Sequence, residues 1–136
     1  MKKRKQLNTS VTKEYRGWIA LKYHGEAYDI LFVDSREPLA EQIKNDMHQN
    51  GNFLSVRYWI SDKEQPIEEV KEEFIKNLLG FGMADYQHRY SDMTGYLWTD
   101  EELMVGGHDL LSEIKSYKGK FLHLEIEYNR NNPDKK

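Results

Sequence analysis

A chain of 136 residues is near the commonest size for a single domain. Its 38% hydrophobic content, with three Trp, nine Tyr and five Phe, supplies one aromatic-rich core, and 32% of the residues are charged. A formal net charge of −3 excludes a strongly basic nucleic-acid footprint, and the lack of cysteine excludes disulfides, thiol catalysis and thiolate metal sites together.

The opening stretch MKKRKQLNTSVTK begins like the charged start of a signal peptide, but no apolar run follows it. No stretch approaches the length of a membrane span. A soluble, cytoplasmic protein is the expectation. Basic, polar residues 1–13 read as a disordered N-terminal tail, 14–129 as one domain, and 130–136 (RNNPDKK) as a second loose tail.

The first predicted strand is EYRGWIALKY, where Ile19, Leu21 and Tyr23 alternate with Trp18, Ala20 and Lys22. HGEA supplies a turn and YDILFV a second strand, so Tyr15 to Val33 reads as a β-hairpin. Ile30 to Val33 is apolar on both faces, which suggests a central strand. DSREPL then starts a helix, with Asp34 or Ser35 as cap and Pro38 in the first turn. Leu39, Ile43 and Met47 line one face of it, and the run Asn50 to Asn52 ends it.

NFLSVRYWIS is the clearest strand. Leu54, Val56, Tyr58 and Ile60 share one face, and Phe53, Ser55, Arg57 and Trp59 share the other. DKEQP leads into a second predicted helix with an apolar stripe of Ile67, Val70, Phe74 and Leu78, flanked by Leu79 and stopped by Gly80 and Gly82. From Met83 to Met104 the pattern suggests a hairpin, or one strand with an irregular approach. Thr99 and Glu102 in TDEE resemble a capping box with a helical turn to follow. A third helix carries Leu110, Leu111, Ile114 and Tyr117, with Asp109 as N-cap and Gly119 just past its end. KFLHLEIEY closes the domain as a strand with one apolar face. The order β-β-α-β-α-β(β)-α-β predicts an α+β two-layer sandwich, with a mostly antiparallel or mixed sheet of four to six strands and three helices on one face.

Several chemistries fail on residue type and spacing. VGGHDLL has the outline of a phosphate cradle, yet Asp109 would place a carboxylate on the same N–H groups, and the spaced glycines of a nucleotide loop are missing. His24, His48, His88, His108 and His123 form no metal-ligand pattern, so neither a metal nor a cofactor is expected. Lys2 to Lys5 is better read as a solubilising tail than as a nucleic-acid arm. No nucleophile motif appears, and the sequence leans away from an enzyme.

What remains is the sheet face turned away from the helices. Alternation places Trp18, Phe53, Arg57, Trp59, Phe121 and His123 there, with Lys22, Glu125 and Glu127 among them and Trp98 as a further candidate. Aromatics and Arg ringed by charge match the anatomy of protein interfaces. The leading expectation is a non-enzymatic interaction protein that dimerises, or grips a protein partner, through these six residues. The alternatives are burial of the face by residues 83–104, and a small-molecule-binding protein or enzyme with its site near Tyr86, His88, Tyr90 and the His108–Asp109 turn. Nucleic acid and membrane are not expected as partners.

Overall fold

The computed structural model describes residues 10–24, 27–91 and 96–130. Their elements are β1 (Val11–His24), β2 (Ala27–Phe32), α1 (Leu39–Asn50), β3 (Phe53–Ser61), two 3₁₀ turns (Ile67–Glu69 and Glu72–Phe74), β4 (Lys76–Ser91), β5 (Tyr96–Val105), β6 (His108–Asp109), α2 (Leu110–Lys115) and β7 (Phe121–Asn129). β1 starts at Val11, inside the stretch read as a tail, and residues 1–9 and 131–136 lie outside the described residues.

One seven-stranded sheet carries the fold, in the order β2-β1-β7-β3-β4-β5-β6, and every pairing is antiparallel. β7, last along the chain, lies between β1 and β3. β1 is long enough to pair with β7 from Val11 to Trp18 and with β2 from Ile19 to His24. The sheet curls until β2 approaches β5 across its open side, and α1 packs against β2, β4, β5 and β7 within the curl. Leu39, Ala40 and Ile43 of α1 are thereby buried with Tyr15, Ile19, Leu54, Val56, Tyr58, Leu122, Leu124, Ile126 and Tyr128. Among the described residues this is a mixed α+β fold with a strongly curled seven-stranded sheet and two helices. The two-layer sandwich of four to six strands with three helices on one face is corrected, because curling lets the sheet cover much of its own core.

The largest departure is the second predicted helix. Its stripe is split three ways: Ile67 sits in a 3₁₀ turn, Phe74 is exposed, and Leu78 pairs with Val56 in the β3–β4 ladder. β3 needs a second hydrogen-bonding neighbour, and residues 76–81 provide it. That long-range demand outweighs a local 3.6-residue pattern. Gly82, read as a helix stop, serves as a strand residue: a Cβ there would lie 2.5 Å from Leu54 Cδ1.

Smaller corrections follow the same logic. Residues 83–104 do form a hairpin, with Thr99 and Glu102 inside β5, so no helical turn follows TDEE. β2 ends the strand order, and Ile30, Leu31 and Phe32 of its apolar run are buried because the curl brings β5 and α1 onto it, whereas Val33 lies past the strand and is exposed. α1 begins after Pro38, whose carbonyl accepts from Glu41 and Gln42, and Asp34 and Ser35 lie upstream of the cap position. α2 ends at Lys115, so Gly119 belongs to the turn that returns the chain to β7.

Gly106 and Gly107 make a two-residue turn with φ values of 56° and 88°, which pairs Val105 with His108. Two consecutive positive φ angles match a type I′ hairpin, where glycine has no steric cost. Asp109 then caps α2, its carboxylate accepting the Ser112 N–H at 3.3 Å. Replacing Asp109 with Ala should cost about 0.5–2 kcal/mol in chemical denaturation, while Asn should be nearly neutral. Gly106→Ala should cost more than either, because its Cβ would lie 2.5 Å from the Leu79 carbonyl oxygen. A Gly106→Ala protein as stable as wild type would show that this hairpin relaxes freely.

Candidate functional site

The register confirms that the six nominated residues share one face. Trp18 lies opposite Phe121, Trp59 opposite His123, Arg57 opposite Glu125, and Phe53 opposite Asn129. Much of that face is closed by the chain itself. The cover is the segment between β3 and β4, residues 62–75, and not the hairpin of residues 83–104. Ile67 and Ile75 of this segment are buried.

His123 is the fastening. It is 1% exposed, and its Nδ1 accepts the Ile67 backbone N–H at 2.8 Å. An accepting Nδ1 requires the ring proton on Nε2, which faces Glu14 Oε1 at 3.2 Å. Arg57 adds a second tie, with one guanidinium nitrogen 2.9 Å from Glu125 and the other 2.8 Å from Glu72 of the covering segment. Trp59 Nε1 donates to Gln65, and Phe121 is buried edge-on against Trp18 at 5.5 Å. Trp18, Arg57 and Trp59 stay partly exposed, whereas Phe53, Phe121 and His123 are buried.

The open part of the face is on β4. Leu79, Phe81 and Met83 point the same way and are 61%, 60% and 54% exposed. Phe81 stands edge-on to Phe53, with ring centroids 5.0 Å apart, and Met83 lies opposite Met104. The reading of residues 67–79 as a helix concealed this row. The alternation Leu79-Gly80-Phe81-Gly82-Met83 was the available signal.

A second cluster forms around Glu113 of α2. Its carboxylate accepts from Tyr58 Oη at 2.8 Å and Lys76 Nζ at 2.9 Å, and His108 Nε2 lies 3.1 Å away. Burial pushes the Glu113 carboxyl up, but the three donors outweigh it and hold it below the ordinary carboxylate range. Burial, then the bond to Glu113, raises Tyr58; the Glu113 bond also raises Lys76. Beside this cluster lies a cavity of about 190 Å³ lined by Tyr58, Trp59, Ile60, Phe74, Lys76 and Tyr117.

His108 thus meets Glu113, Tyr58 and Lys76. In the β4–β5 register Tyr86, His88 and Tyr90 lie opposite Glu101, Thr99 and Leu97, whereas His108 lies opposite Val105. The nearest of the three tyrosine and histidine positions is displaced by about 14 Å along the strand. The side chains of Tyr86, His88, Tyr90 and Trp98 lie outside the described residues. A third polar group runs from the core to its rim: buried Tyr15 Oη contacts buried Tyr128 Oη and half-buried Asp46, joining α1 to β1 and β7, and burial raises both phenols. Among the described residues no group of His, Asp or Glu is placed to hold a metal ion, and no helix is long and apolar enough to cross a membrane.

Two outcomes test this geometry. His123→Leu leaves the Ile67 N–H without an acceptor, so Lys63 and Lys71 in the covering segment should be cut by trypsin about tenfold faster than in wild type. Unchanged cleavage would mean the segment is held by Arg57–Glu72, Trp59–Gln65 and its apolar contacts without the His123 bond. The lowered Glu113 carboxyl contributes stability that is present above its unfolded-state pKa and lost as pH falls through the folded value. Glu113→Gln should therefore flatten the acid side of the stability–pH curve and cost about 1–3 kcal/mol near neutral pH. A parallel acid limb in the two proteins would remove Glu113 from that role.

Compared with protein-family models, curated proteins and solved structures, the chain finds no match, so the roles of these sites rest on their own chemistry.

Proposed function

We propose that this is a small, non-enzymatic interaction protein that docks another polypeptide, a second copy or a different partner, on the outer face of its curled sheet. The observation that carries the reading is the row Leu79, Phe81 and Met83, three large apolar side chains each more than half exposed on one strand. Scattered exposed apolar residues are ordinary, but a contiguous row beside a rigid aromatic pair is the form that interface cores take. Phe53 supports Phe81 from the adjacent strand. Trp18, Arg57 and Trp59 remain partner contacts in this reading, while Phe121 and His123 support the face from within.

A second reading has its own observation. The Glu113 cluster and the aromatic cavity beside it have the make-up of a small-molecule site, polar at one side and apolar around the rest. It relocates the ligand site predicted near His108 from the Tyr86–Tyr90 stretch to Tyr58, Lys76 and Glu113. A thermal-shift screen of metabolites separates the two, because a ligand of this cavity raises the melting temperature of wild type but not of Trp59→Ala.

The docking reading predicts a defect in Phe81→Glu with the fold intact by circular dichroism. Sedimentation at about 100 µM should show self-association lost in the variant, or selection from a random peptide library should enrich sequences that bind wild type and not Phe81→Glu. A wild-type monomer that enriches no Phe81-dependent peptide would remove the docking function.

A further inference from the structure

Met83, the last residue of the exposed row, also borders a groove on the other side of β4, between that strand and the C-terminal end of α1, where Gly82 faces Met47. The groove has a volume of about 410 Å³, and its side chains include Lys44, Met47, His48, Met83 and Arg130. None of the lining residues is acidic, in a chain whose net charge is −3. Lys44 and His48 are one helical turn apart on α1 and so share a side of it. Arg130 joins them from the end of β7, where its Nη2 donates to the Gln49 carbonyl at 2.6 Å. That bond anchors the guanidinium at the rim and commits one of its five N–H donors. Met47 supplies apolar, adaptable floor, and Met83 borders the groove.

From these observations we infer that the polypeptide docked on this face is an acidic segment with apolar anchors, its carboxylates seated against Lys44, His48 and Arg130. The inference rests on the docking reading and names the partner's chemistry. Leu79, Phe81 and Met83 recur at every second residue, a spacing of about 7 Å that matches same-side residues of an extended peptide. The groove opens beside the start of β3, where Gly51, Asn52 and Arg130 line it, so a peptide whose apolar run ends at Met83 carries the residues that follow round that end to the groove. Carboxylates are favoured there because every ionisable side chain of the lining is cationic or becomes so on protonation. A nucleic acid fits less well, since the lining offers no Phe, Tyr or Trp on which a base could stack.

The experiment is fluorescence anisotropy of the full chain with three labelled peptides, each about twelve residues long and sharing one stretch with Leu at alternate positions. One ends in a run of Glu, one in Ser and one in Lys. The Glu peptide should bind about tenfold tighter than the Ser peptide, and the Lys peptide should bind most weakly. The preference should shrink at high salt and be abolished or reversed in Lys44→Glu/His48→Glu. Phe81→Ser should weaken all three.

Equal binding of the three peptides, still dependent on Phe81, would overturn the inference and leave the docking reading standing. So would a charge preference that survives Lys44→Glu/His48→Glu. An oligothymidylate probe that binds in competition with the Glu peptide, and is lost with Lys44→Glu, would assign the groove to nucleic acid instead. If no peptide binds and wild type sediments as a dimer that Phe81→Glu dissociates, the occupant is a second copy and the acidic partner is wrong. If no peptide binds and wild type is a monomer, the docking reading falls as well.

Discussion

The sheet depends on β7 lying between β1 and β3. β7 is the last strand of the chain, yet it pairs with the first strand along Val11 to Trp18 and with β3 along its whole length. Leu122, Leu124, Ile126 and Tyr128 thereby enter the middle of the core. Without β7 the sheet would split into a β1–β2 hairpin and a β3–β4–β5–β6 piece, each with an exposed apolar face, and a two-stranded hairpin has little stability alone. These contacts join residues far apart in sequence, so the loop-closure cost falls before the core is gained.

The central position of β7 also decides what its outward residues do. Phe121 and His123 sit mid-sheet, flanked on both sides by strands, and a buried imidazole needs partners for both nitrogens. The covering segment supplies one in the Ile67 N–H, and Glu14 of β1 supplies the other. The outer face is thus divided. The part over β7 is sealed by residues 62–75 and bound through His123 and Arg57, and the part over β4 is left open with Leu79, Phe81 and Met83. The binding surface proposed for this protein is the part that the chain's own cover does not reach.

Glu113 ties together another set of distant elements: Tyr58 from β3, Lys76 from the start of β4, and His108 from the short β6. Three donors on one half-buried carboxylate make it a fixed point at the rim of the core. Tyr15, Tyr128 and Asp46 play the matching part where α1 meets β1 and β7. Both groups are satisfied within the chain, whereas the basic side chains of the groove by α1 have no acidic neighbour among its lining residues. This difference is what directs the search for a partner to the groove.

Strands with one buried face can be read along the chain, because alternation at a period of two shows which side chains share a side. β3 and β7 were legible for that reason, and so was the common face of Trp18, Arg57, Trp59 and His123. The α2 cap was legible too, since Asp109 acts on an N–H only three residues away. Only the tertiary structure decided that residues 67–79 are not a helix, because the missing hydrogen-bonding neighbour of β3 is not visible in local spacing. It alone decided which segment covers the outer face, which row is left exposed, and that residues 58, 76, 108 and 113 meet. Each of these depends on pairings across tens of residues, where the free energy lies in the closed sheet and not in any window of the chain.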